Sequence, residues 1–148
     1  MKLGIKGSIF LLVFLLGFGR AGGAGAANCV EIVRDARWTI SIDVTSIEDK
    51  GAYITAWAKW IPGNEMLEKF RESFGPNYAY QVERRAFSKK SREEQLLDVV
   101  ACDRNGSAID EFHAPFSPGS YIPAAPGSYV ELTWMKVMEF ASTGGKTN

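Results

Sequence analysis

The side chains with chemistry to offer are few and widely spaced. His113 is the one histidine, and Asp110 and Glu111 stand just before it. A lone imidazole can act as acid or base. A Ser-His-Asp arrangement also wants a nucleophile on a strained elbow, however, and the chain has no Gly-x-Ser-x-Gly stretch. A structural zinc site wants four nitrogen or sulfur ligands, which one histidine and two cysteines without a Cys-x-x-Cys pair do not supply. Asp110 and Glu111 are neighbours in a strand-like stretch, so their carboxylates project from opposite faces and do not share one acid–base site. Pro118-Gly119-Ser120 lacks the lysine of a phosphate-cradling loop. The expectation is a protein that is not an enzyme and carries no metal or cofactor.

Three further features invite a chemical reading. Asp98 sits inside the apolar run Leu96-Leu97-Asp98-Val99-Val100, where a charge needs a partner such as Arg84 or Arg85 on a neighbouring strand. Cys29 and Cys102 make an even pair, which in an oxidising compartment favours a disulfide. Lipidation of Cys29 is the competing chemistry, although Asn28 stands where it wants a small residue. Trp38, Trp57, Trp60 and Trp134 would suit a sugar or peptide platform, yet the alternation around them assigns most to a core. Asn105-Gly106-Ser107 has the form of an N-glycosylation acceptor, a short and weakly specific pattern.

The elements that must position these groups are mostly strands. Trp38 to Asp43 alternates cleanly, with Trp38, Ile40 and Ile42 on one face and Thr39, Ser41 and Asp43 on the other. Ala52 to Trp60 is apolar on both sides, as a central strand would be. Val30 to Val33, Tyr80 to Phe87 and Gln95 to Cys102 are further strands, and Arg104-Asn105-Gly106-Ser107 turns the last of them into a hairpin with Ala108 to His113. Two helices are legible. Asn64 is placed to cap Glu65 to Phe74, whose Met66, Leu67, Phe70 and Phe74 form an apolar stripe, and Gly75-Pro76 stops it. Ser128-x-x-Glu131 is a capping box that opens Tyr129 to Phe140, with Val130, Trp134, Val137, Met138 and Ala141 facing inward. Pro115 to Pro126, between the last strand and this second helix, is a loop. The expected fold is α+β: an antiparallel β-sheet of about five or six strands with a C-terminal helix packed on one face. The segment Pro62 to Ala79 is expected to be an addition to that framework, its stripe Met66, Leu67, Phe70 and Phe74 offered to a partner or laid over the sheet.

With 148 residues, 46% hydrophobic and 12% aromatic, one core and one domain fit. Ahead of it, Lys2 and Lys6 precede the apolar run Ile9 to Phe18, and small residues follow from Ala21 to Ala27. This reads as a secretory signal peptide over 1–27, with Ala24-Gly25-Ala26 as the cleavage pattern. The run is well short of the ~20 residues that span a bilayer. A single domain over 28–141 and a flexible tail over 142–148 complete the layout. Loss of Lys2, Lys6 and Arg20 takes three from 17 basic residues against 17 acidic ones, a net charge of about −3. That balance offers no basic surface for nucleic acid.

Taken in order, several of these motifs resemble the surface-adhesin protein E family of Gram-negative bacteria. They are the tryptophan strand running into Ile42-Asp43, Ser46-Ile47 before a glycine turn, Trp57 to Lys59, and Ser88-Lys89 at a strand end. Asp98 to Cys102-Asp103-Arg104 and then Pro126-Gly127-Ser128 with Glu131 complete the set. The resemblance covers nearly all of the mature chain. It implies an antiparallel sheet with a C-terminal helix, export to the periplasm or outer cell surface, and, for the named adhesin, attachment to host matrix proteins; it implies no catalytic residues. Family members commonly carry a second cysteine at the end of the last helix, where this chain has Val137 and Met138, so Cys102 must find Cys29 or stay free. The expected function is an exported surface or periplasmic binding module for a protein ligand, a host matrix or envelope protein, with association of two copies as a further expectation. The alternative is a structural or assembly protein of the cell envelope.

Overall fold

The computed structural model describes residues 28–144; the expected signal peptide 1–27 and positions 145–148 of the expected tail lie outside the described residues. The elements in chain order are β1 (Cys29–Arg34), β2 (Trp38–Asp49), β3 (Tyr53–Pro62), α1 (Asn64–Phe74), β4 (Tyr80–Ser88), β5 (Glu93–Cys102), β6 (Ala108–His113), a 3-10 turn at Pro118–Ser120, β7 (Ile122–Pro123) and α2 (Tyr129–Ser142). The strands form one antiparallel sheet in the order β1-β2-β3-β4-β5-β6, with β7 also paired to β5. The α+β class and the helix-covered sheet expected from the sequence are present. The sheet has one strand more, the two-residue β7, which is too short to carry any periodicity.

Register explains the core. Ile42 lies opposite Ala58, and Ile40 opposite Trp60; these residues and Trp38, Ile54 and Ala56 are almost fully buried. The small alanines of β3 leave room for a helix, and α2 fills it with Val137 and Phe140, flanked by Val130, Trp134 and Met138. The indole nitrogen of Trp134 donates to the Ser88 carbonyl at 3.0 Å, which fixes the helix against the end of β4. Ser128 caps α2 by accepting from the Glu131 amide at 3.1 Å, while Glu131 reaches back to the Gly127 amide at 2.7 Å. The capping box read from the sequence thus exists, with its return bond one residue earlier. α2 also runs through Ser142, so the expected tail begins later than position 142.

Pro62 to Ala79 is part of the framework rather than an addition to it. Tyr78 is wholly buried, and Met66 and Phe70 pack on the main core. Phe70 meets the Trp38 ring edge-on at 5.6 Å and stacks on Tyr78 at 5.3 Å. The expected Asn64 cap is also corrected: Asn64 is the first helical residue, and Gly63 precedes the helix without a side-chain bond. Glycine is required there because a Cβ would lie 2.0 Å from the Ala36 carbonyl oxygen. The Gly63 amide donates to Arg37 at 2.7 Å, which ties the start of α1 to the β1–β2 turn.

The expected Cys29–Cys102 disulfide is not formed; both thiols are free. Cys29 is on β1 and Cys102 on β5, with β2, β3 and β4 between them. Four strand spacings amount to ~19 Å, far beyond the ~7 Å within which two Cα atoms can be bridged. Burial pushes the Cys102 thiol up to about 11.

Candidate functional site

Both helices pack on the β1–β3 part of one face, the helix-bearing face. The opposite, open face bears no helix among the described residues; Tyr80, Val82, Val100 and Cys102 form a second buried cluster on it, and the chain after β6 crosses another part of it. There Phe116 stacks on Tyr53 at 4.0 Å, and Gln95 is bound to the Pro115 carbonyl and the Ser117 amide.

On the open face, Arg84, Asp98 and His113 stand in one row across β4, β5 and β6, because Arg84 pairs with Asp98 and Asp98 with His113. Asp98 is buried and accepts from Arg84 Nε at 2.5 Å, with His113 Nδ1 at 2.6 Å from its other oxygen. Of the two arginines open to Asp98 in the sequence, Arg84 is the one that binds it. His113 Nε2 lies 3.3 Å from Glu111, and the imidazole is half exposed. The hydrogen bond to Asp98 holds the His113 pKa above the ordinary imidazole value, against desolvation, which works the other way. Arg84 also lies over the Trp57 ring at 5.6 Å. As chemistry, this is a charge cluster: both imidazole nitrogens face carboxylates, and neither is directed at a hydroxyl or thiol.

Arg85 points to the helix-bearing face and joins a second cluster, bound to Glu83 at 2.7 Å and Glu94 at 2.6 Å. Burial works against its charge, and the two carboxylates more than offset that. Gln81 links Glu83 to the Tyr78 hydroxyl. A chain of buried polar groups therefore runs along β4, Tyr78, Gln81, Glu83, Arg85 and Glu94 in order. The sequence gives one cue for it, the polar run Glu83-Arg84-Arg85, which reads as a wet face rather than a satisfied interior.

Beyond that chain, the same face carries an apolar groove of about 280 Å³ between the end of α1 and the β5–β6 pair. Phe74, Leu96, Val99, Ala101 and Phe112 line it, with Asp110 at its rim. Of the stripe expected to serve a partner, Met66 and Phe70 belong to the core, Leu67 is half-buried, and Phe74 reaches the groove. The other groove residues are on strands whose apolar character reads as ordinary burial, so only the fold reveals that Leu96, Val99 and Phe112 keep exposed surface while Ala101 is buried. Asp110 and Glu111 diverge as their adjacency requires, Asp110 toward the groove and Glu111 toward His113. No protein-family model, curated protein or solved structure matches the chain.

Proposed function

We propose that this chain is an exported binding module whose ligand is a protein that inserts an apolar segment into the groove between Phe74 and the β5–β6 pair. The observation that carries the reading is the groove itself: Leu96 and Val99 are only half-buried and Phe112 is exposed, beside the helix-covered part of the sheet. Contiguous uncovered apolar surface with a polar rim is the common mark of a protein-binding site. Export is supported by the amino-terminal sequence pattern, and attachment to a matrix or envelope protein by the resemblance to the surface-adhesin protein E family. The Asp98–His113 cluster, with both imidazole nitrogens turned to carboxylates, supports a role in binding rather than in bond chemistry.

The test compares the purified chain with Val99→Lys, which places an ammonium in the groove without touching the helix-packed core. Both are titrated against a panel of purified host matrix proteins and solubilised envelope proteins. The proposal expects at least one saturable partner whose binding falls by roughly tenfold or more in the variant. Equal binding by both proteins, with both folded by circular dichroism, would remove the groove from the account.

A further inference from the structure

We infer that β6 is the contact edge for a second copy of this chain, pairing antiparallel across a two-fold axis at Phe112. The inference is independent of the ligand reading. β6 is hydrogen-bonded to β5 on one side only and forms the end of the strand order. Among the described residues, three of the five exposed large apolar side chains, Ile109, Phe112 and Ile122, are on β6 or β7, so the apolar exposure there is concentrated along this one edge.

The backbone limits the registers. The Ala114 amide donates inward to Leu97 at 2.7 Å, and groups alternate along a strand, so Phe112 also points inward while Glu111 and His113 point their amides and carbonyls out. A symmetric antiparallel contact then has two central choices. With Glu111 at the centre, two carboxylates face each other, Phe112 meets Asp110, and the outer pairs involve Ile109. Ile109 is the residue skipped where Ala101 pairs with Asp110 and Cys102 with Ala108, so the ladder is irregular there. With Phe112 at the centre, the two Phe112 rings meet on the helix-bearing face and Glu111 of each copy lies opposite His113 of the other. Charge, shape and regularity all select the second register. Four outward backbone bonds form, and the two grooves become one continuous trough. Asp110, Pro115 and the irregularity at Ile109 then oppose pairing in other registers.

The test is cysteine trapping in a Cys29→Ser background, with Cys102 left in place because it is buried. Under mild oxidation Phe112→Cys should form a disulfide-linked dimer, since directly opposite residues of a non-hydrogen-bonded pair approach within bridging distance. Ile109→Cys should not. Sedimentation equilibrium should show a reversible dimer that weakens by roughly tenfold or more in Glu111→Lys, where lysine faces His113 of the other copy. Trapping by Glu111→Cys in place of Phe112→Cys would overturn the register. A monomer at high micromolar concentration, with no trapping at any position, would overturn the proposal.

Discussion

Asp98 is tightly constrained, because a single buried carboxylate serves both Arg84 and His113. Its replacement by alanine leaves the guanidinium without its partner in a half-buried row, and a loss of about 2 to 3 kcal/mol is expected in urea unfolding. The imidazole gives this a pH signature. Its native pKa is raised, so the stabilisation from protonated His113 is fully present below the ordinary value near 6.5 and is lost as pH rises through the native value. His113→Gln should therefore be less stable than the parent chain in mild acid and indistinguishable from it at alkaline pH. Proton resonance titration should find the His113 midpoint lowered in Asp98→Asn. The two thiols offer a second check at this scale. Cys29 is half-buried and Cys102 buried, and burial raises both thiols above the ordinary range, so alkylation of the folded chain should be slow and should label Cys29 first. Mass mapping that finds Cys102 labelled first in the native state would contradict this geometry.

At the scale of elements, the strands with clean alternation were legible because one periodicity served one buried face. β2 shows this over Trp38 to Asp43, where every second residue enters the core. The extension of β2 to Asp49 was hidden by the irregularity after Asp43, where Asp43 binds the Thr45 hydroxyl and Ser46 donates to the Asp43 carbonyl. Such local side-chain bonds look like a turn in the sequence. The groove was not legible at all. Leu96 and Val99 have the same apolar character as covered residues, and only the position of α2 over β2 and β3 leaves them half-buried. For α1 the apolar stripe was legible while its use was divided. Phe70→Ala should cost about 2 kcal/mol or more, since the ring touches Trp38, Phe74 and Tyr78. Phe74→Ser should cost less and should act on groove binding. Ser128→Ala should lower stability by about 1 kcal/mol through loss of the α2 cap, as read by chemical denaturation.

At the scale of the whole molecule, stability comes from one sheet and its helix cover without a covalent staple. A reducing agent should therefore leave the melting temperature unchanged, whereas a shift of several degrees on reduction would require a bond absent from this fold. The order of the sheet has a further consequence, in the time domain. From β1 to β6 each strand pairs with the one before it, so a chain threading outward from its amino end can add strands one at a time through short loop closures. The exception is α2, which must return to β2 and β3 across the whole intervening chain. Until residues 129–142 have emerged, the face of Ile40 and Ile42 lacks its helix on an otherwise assembled sheet. A chain halted before Tyr129 would thus present an aggregation-prone surface, shielded only when the last helix arrives.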